Sequence, residues 1–439
     1  MGLRVPPGRH RENGHGKDVT QSMNEGLKAY ATVTIGYWAF MLTDGALRML
    51  VLLHFHTLGY SPIQLAYLFL VYEFMGIVTN LSAGWLAVRF GLTSTLYAGL
   101  ALQVVALLLL TQVDTGWSET FSVIFVMIVQ GLSGVAKDLS KMSAKSAVKV
   151  LAPEKEGALF KWVAVLTGSK NAVKGLGFLL GAGLLATLGF QVSLFVMAGV
   201  LFFVLVTTFT WMPSGLPGAI KGTKFGAVLS KNAQINRLSL ARAFLFGTRD
   251  TWFVVGIPIF FYSVLSDGSP ESARRAFFMI GTFMALWIIG YGAIQAGAPR
   301  ILKNSTKSTY ETVAAARFWV GVLSIIPIGL AIASWISVPG HIPIVVFGLL
   351  LFGGVFALNS SLHSYLILAL TDKNRVTLDV GFYYMANAAG RLIGTLLSGL
   401  SFQLGGLPFC LTTAGILALL GYAATHSLWK SLKNEPSPS

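Results

Sequence analysis

The sequence predicts an all-α membrane protein, with 12 transmembrane helices in two pseudo-symmetric six-helix bundles and both termini cytoplasmic. Three observations predict it: hydropathy, the alternation of basic connections, and an internal repeat. Of 439 residues, 54% are hydrophobic and 11% charged, with a mean hydropathy of +0.69. Twelve helices of about twenty residues each would fill roughly 240 positions, close to the apolar fraction. The 48 glycines suit close helix packing in lipid. The 32 Lys+Arg against 17 Asp+Glu give a net charge of +15, which in such a chain reads as the basic bias of cytoplasmic connections and contact with membrane lipid, with no nucleic-acid partner. The single cysteine, Cys410, excludes a disulfide framework, a cysteine zinc site and an iron–sulfur cluster supplied by this chain alone. No cofactor, metal or catalytic residue is expected.

Residues 1–27 carry Arg4, Arg9, Arg11, Lys17 and two adjacent prolines without an apolar run, which excludes a cleaved signal peptide and predicts a disordered cytoplasmic tail. The first bundle, 28–211, takes spans at about 30–57, 62–88, 92–112, 119–139, 163–189 and 191–211. A Gly, Pro and Lys mixture with Pro213, Pro217, Lys221, Lys224 and Lys231 makes 212–238 a cytoplasmic interdomain loop. The second bundle, 239–430, takes spans at about 239–264, 274–298, 312–336, 342–371, 380–403 and 408–428, and 431–439 is a cytoplasmic tail. Arg89, the set Lys141, Lys145, Lys149 and Lys155, the central loop, the set Arg300, Lys303 and Lys307, and the pair Lys373 and Arg375 all fall in even-numbered connections, as the positive-inside rule asks. The odd-numbered connections are short or hold Asp114, Glu119, Asp267 and Glu271, with Arg274 and Arg275 as the exception.

The repeat emerges when 170–190 is laid over 386–406 without gaps. Asn171, Ala172, Leu176, Leu180, Gly183, Leu184, Leu188 and Gly189 recur as Asn387, Ala388, Leu392, Leu396, Gly399, Leu400, Leu404 and Gly405. The Asn-Ala pair carries more weight than the leucines and glycines, and the match sets span five opposite span eleven, as a parallel duplication of six helices requires.

Ionisable groups inside spans are costly in lipid and are functional by default. Span one holds Asp44 and Arg48, one turn apart and able to pair. Glu73 lies in span two, Lys137 and Asp138 at the end of span four, Lys170 and Lys174 in span five, Arg249 and Asp250 in span seven, His363 in span ten and Arg391 in span eleven. Arg48 and Arg249 both fall near mid-membrane, where two guanidiniums could hold an oxyanion. The candidate binding set is therefore Arg48, Lys137, Lys170, Lys174, Arg249 and Arg391, with Tyr383 and Asn387 as polar lining. Asp44, Glu73, Asp138 and Asp250 read as ion-pair or coupling acids. Lys141 and Lys145 continue the stripe of Lys137 and read rather as headgroup contacts. A membrane-embedded enzyme is the less favoured class, since HExxH, GxSxG and phosphate-loop patterns are missing from the sequence.

Two six-helix halves with a long central loop resemble the major facilitator superfamily. Its usual signature between spans two and three is degenerate here: Gly84, Arg89 and Gly91 fit, but Val88 replaces the acid. Longer strings resemble one narrow branch, the ArsJ-type organoarsenical efflux permeases. They include Tyr37-Trp38-Ala39-Phe40, Leu42-Thr43-Asp44-Gly45-Ala46-Leu47-Arg48, Ala136-Lys137-Asp138-Leu139, Leu166-Thr167-Gly168-Ser169-Lys170-Asn171-Ala172, Arg249-Asp250, and Val380-Gly381-Phe382-Tyr383-Tyr384-Met385-Ala386-Asn387. The resemblance implies a multi-pass protein of the bacterial inner membrane that confers arsenate resistance by exporting 1-arseno-3-phosphoglycerate. It also implies a metabolic partner, glyceraldehyde-3-phosphate dehydrogenase, which makes that ester from arsenate. The residues agree on one point: a trivalent arsenic carrier would favour several thiolates, whereas arginines and lysines suit a hard, small, phosphorylated anion. An organophosphate/phosphate antiporter is the alternative with the same cationic requirement.

Overall fold

The computed structural model describes residues 15–151, 158–212, 230–302, 308–336, 340–371 and 376–433. Its helices are α1 (His15–Thr57), α2 (Pro62–Phe90), α3 (Leu92–Leu110), α4 (Glu119–Leu151), α5 (Ala158–Leu188), α6 (Phe190–Trp211), α7 (Ala233–Phe253), α8 (Gly256–Leu265), α9 (Pro270–Ile301), α10 (Thr309–Trp335), α11 (His341–Leu370) and α12 (Val376–Lys433). Eleven stretches among the described residues are long and apolar enough to cross a membrane, with α7 and α8 together forming one of them, Ala233–Leu265.

Two breaks show how local chemistry shapes these helices. Between α7 and α8, Pro258 has no N–H to return to the carbonyl of Val254, and the amides of Val255 and Gly256 donate instead to Ser398 Oγ at 3.1 Å each. In α12, Gly405 and Gly406 leave helical geometry, Gly406 at φ 65°, a left-handed conformation that glycine takes without steric cost. Pro408 follows two residues on, and α12 is two helices joined at a kink.

Several boundaries differ from expectation. The helix of the first span extends back to His15, into the stretch expected to be a disordered tail. No proline follows Pro7 before the span, so an established helix propagates backward at little cost. α7 begins at Ala233, inside the expected loop, because Asn232 caps it by accepting from the amides of Gln234 and Ile235. Arg4, Arg9, Arg11, Lys155, Pro213, Pro217, Lys221, Lys224, Lys303, Lys307, Lys373 and Arg375 lie outside the described residues.

Helices α1–α6 pack among themselves, as do α7–α12, and the two sets meet chiefly where α2 runs along α12 and α5 along α9. Glycines set the closest crossings. A Cβ on Gly177 would stand 2.5 Å from Leu42 O, and one on Gly45 2.6 Å from Lys174 O, so α1 and α5 touch backbone to backbone and bring Asp44 beside Lys174. A Cβ on Gly394 would stand 2.7 Å from Gly247 O, and this α7–α12 crossing brings Asp250 beside Arg391. At the end of the molecule marked by the α1–α2 turn the sets are joined: Ile63 N donates to Gln403 Oε1 at 3.2 Å, and His56 packs edge-on against Tyr262 at 4.9 Å.

Candidate functional site

A cavity of about 470 Å³ lies between the two sets of helices. One wall is formed where Phe178 of α5 and Phe253 at the end of α7 approach with ring centroids 6.0 Å apart. From there it extends past Arg242 and Asn387 toward Asn80, Lys141, Lys170 and Tyr384, that is, toward the α2–α3 end. Among the described residues eight basic side chains line it, namely Arg48, Lys137, Lys141, Lys170, Lys174, Arg242, Arg249 and Arg391, against the acids Glu73, Asp138 and Asp250. Asp44, held behind Lys174, makes a fourth acid and leaves an excess of four positive charges.

The acids are shared in an order that spacing alone did not indicate. Glu73 Oε1 accepts from Arg48 Nη2 at 2.7 Å and from Arg391 Nη2 at 2.6 Å. Arg391 Nε also donates to Asp250 Oδ2 at 3.1 Å, and Asp250 Oδ1 accepts from Arg249 Nε at 2.6 Å. Arg48, Glu73, Arg391, Asp250 and Arg249 thus form one continuous chain from α1 through α2 and α12 to α7. The expected pairing of Asp44 with Arg48 is not formed. Asp44 accepts from Lys174 Nζ at 2.7 Å and from Tyr72 Oη at 2.5 Å, because the glycine crossing of α1 and α5 places the lysine closer than a neighbour one turn along. Arg48 lies over the rings of Phe69 and Tyr72 at 5.1 and 5.0 Å, and Lys137 also lies over the Tyr72 ring, at 4.1 Å.

Of the expected lining residues, Tyr383 is placed elsewhere. It is fully buried and packs in the apolar cluster of Ile235, Leu238 and Leu362; its neighbour Tyr384 lines the cavity. Successive helical residues point about 100° apart, so packing of α12 decides which of the two tyrosines meets the opening. Lys141, expected at headgroup level, also reaches the cavity and donates to Asn80 Oδ1 at 2.9 Å and Asp138 Oδ1 at 3.2 Å. Asp138 accepts a further 2.5 Å bond from Thr79 Oγ1. The repeat partners Asn171 and Asn387 both line the cavity, the first within 3.4 Å of Gln295 Oε1, the second accepting from Arg242.

Arg242 is the residue that sequence reading missed. It sits 4% exposed on α7, with Nε donating to Asn387 Oδ1 at 2.9 Å and Nη1 to Ser360 O and Oγ at 3.1 Å each. The signal that could have found it is its spacing, two helical turns before Arg249 on one face. Cys410 is buried and donates to Ser398 O at 3.5 Å, away from the cavity.

No family model matches the sequence, and no curated protein matches it. Solved structures match in fold. A crystal structure of a mutant of the nucleoside transporter NupG aligns at TM-score 0.68 and 15% identity, covering 92% of this chain and 98% of that one. A POT family transporter in complex with a thioalcohol-conjugated peptide aligns at TM-score 0.72 and 13% identity, over 92% and 96%. A bacterial homologue of the iron transporter ferroportin, in an outward-facing state, aligns at 0.63 and 16%, over 92% and 99%. The chain has the fold of these membrane transporters.

Proposed function

We propose that this chain is an alternating-access transporter of the major facilitator type that exports a small phosphorylated organic anion across the bacterial inner membrane. In this reading α12 crosses twice, which gives 12 spans in two six-helix bundles with both termini cytoplasmic, and the cavity faces the cytoplasm. The observation that carries the reading is the excess of cations over acids in a cavity placed between two halves of the chain. An excess of cations over acids among the described lining residues is expensive beside lipid and is offset when a polyanion enters. The fold shared with known transporters supports alternating access, which needs two halves moving about a central site. Arg48, Lys137, Lys170, Lys174, Arg249, Arg391 and Asn387 are the anion-facing residues. Asp44, Glu73, Asp138 and Asp250 hold the cations in place while the site is empty.

The substrate that fits the resemblance is 1-arseno-3-phosphoglycerate. It is tested by arsenate survival of cells expressing the chain with and without glyceraldehyde-3-phosphate dehydrogenase. Protection only with the dehydrogenase is the expected result. Protection without the dehydrogenase, or none with it, would overturn the ester as substrate. Exchange of external organophosphate against phosphate loaded in vesicles would assign the antiporter instead.

A further inference from the structure

The cavity cations differ in what already neutralises them. Arg48, Arg249 and Arg391 share Glu73 and Asp250, Lys174 holds Asp44, and Lys141 holds Asp138. An anion approaching any of these competes with a carboxylate that is already in place. Arg242 is different: like Lys137 over the Tyr72 ring, it holds no carboxylate among the described residues, and unlike Lys137 it is fixed by hydrogen bonds. Its acceptors are an amide oxygen, a carbonyl and a hydroxyl, and among the described residues no carboxylate stands within ion-pair distance of it. The guanidinium is nevertheless buried, over the Phe246 ring at 4.1 Å and near the Tyr383 ring at 5.1 Å. A buried, unneutralised guanidinium costs stability, and neutral acceptors orient it without cancelling its charge.

We infer that Arg242 is the residue that recognises one anionic end of the substrate, a carboxylate or a phosphoryl group, with Asn387 and Ser360 as the residues that position it. This rests on the proposed transport of an organic anion and assigns a role within that site. Three features make Arg242 suited to the task. Its Nε and Nη1 are fixed by α12 and α11, so little side-chain freedom is left to lose on binding. Its Nη2 has no protein acceptor among the described residues and is the remaining donor on a residue that lines the cavity. Its charge is not shared with an internal acid, so the anion gains the full charge-assisted bond without displacing a carboxylate. The arginines of the Glu73–Asp250 chain then serve a different end of the same substrate or the joining of the two halves.

The test uses the full chain and three probes: 3-phosphoglycerate, glycerol 3-phosphate, which lacks the carboxylate, and glycerate, which lacks the phosphate. Equilibrium binding is measured for the unaltered chain, Arg242→Gln, Arg242→Lys and Asn387→Asp, together with melting temperature. Asn387→Asp has nearly the shape of the amide and keeps the acceptor for Nε, but supplies Arg242 with an internal anion, so the comparison does not depend on tolerance of a deleted arginine. In Asn387→Asp and Arg242→Gln, 3-phosphoglycerate binds about ten- to a hundredfold more weakly, the loss expected of one charge-assisted hydrogen bond. Arg242→Lys falls between. The decisive reading is the ratio of affinities: whichever end Arg242 holds, removing that end from the probe weakens binding to the unaltered chain and ceases to matter in the variants. A purely structural role would lower the melting temperature and weaken all three probes alike. Ratios unchanged for both truncations would overturn the assignment to Arg242, even with weaker overall binding. An unaltered chain that binds none of the probes overturns the anion reading itself, and the assignment with it.

Discussion

Glu73 holds two guanidiniums through one oxygen, Oε1, while its Oε2 is buried without a hydrogen-bond partner. This sharing predicts opposite signs for neighbouring substitutions. Arg48→Gln leaves Glu73 neutralised by Arg391, and Arg249→Gln leaves Asp250 neutralised by the same arginine. Both variants should therefore reach the membrane in near-normal amounts yet fail to transport, and Arg48→Lys should also be poor, because lysine lacks the fork. Normal transport by both glutamine variants, measured in vesicles, would reassign the pair as structural. Glu73→Gln strands Arg48, whose one carboxylate among the described residues is Glu73, while Arg391 keeps Asp250. It should cost about 3–5 kcal/mol of stability, as expected for a broken buried ion pair, visible as a lower melting temperature. It should also tighten anion binding, because the Arg48 guanidinium is released to the cavity and Arg391 is left with Asp250 alone.

The helices carry their own requirements. The α1–α5 crossing allows no side chain at Gly177, whose Cβ would meet the backbone of Leu42, Gly45 and Ala46. Gly177→Val should separate Asp44 from Lys174 and remove the protein from the membrane fraction, since overpacking against backbone cannot be relieved by a rotamer change. Gly199 on α6 has open space around its Cβ position, and Gly199→Ala should leave abundance and transport unchanged, within about 0.5 kcal/mol. Equal abundance of the two variants would show that the crossing tolerates separation.

Among the described residues, Glu73 with Arg391 is the ion pair that joins α1–α6 to α7–α12, so the ion-pair chain lining the cavity is also a tie between the two sets of helices. If the cavity faces the cytoplasm, the segment before α7 lies on that side as well. Lys231 is exposed and the native Cys410 is buried, so Lys231→Cys offers a nearly clean label. It should react with an impermeant thiol reagent in inside-out vesicles and not in intact cells; labelling in intact cells would invert the topology. The energetics of the proposed transport belong to the whole molecule too. If about three net negative charges move outward per cycle, an inside-negative potential of about 100 mV supplies about 7 kcal/mol, enough to drive export without a proton. Efflux of a bisphosphoglycerate from proteoliposomes should then accelerate with potential alone. Dependence on a pH gradient with no response to potential would return the acids to proton coupling.

The long apolar stretches and the charged residues within them were legible in the chain, because lipid imposes hydropathy locally, residue by residue, and an ionisable group stands out against it. Asn171 and Asn387 were legible as a pair because duplication left them in register. What tertiary structure decided was partnership. Asp44 turns to Lys174 because the glycine crossing of α1 and α5 brings that helix closer than the next turn of the same helix, and Arg48 turns to Glu73 on α2. Tyr384 and not Tyr383 meets the cavity because α12 buries the other face against α7 and α11. Arg242 enters the site because Asn387 and Ser360, more than a hundred positions away in sequence, hold its guanidinium inward. One-dimensional patterns report a residue's distance from water, whereas the sign and strength of a buried charge depend on neighbours that only the packed helices supply.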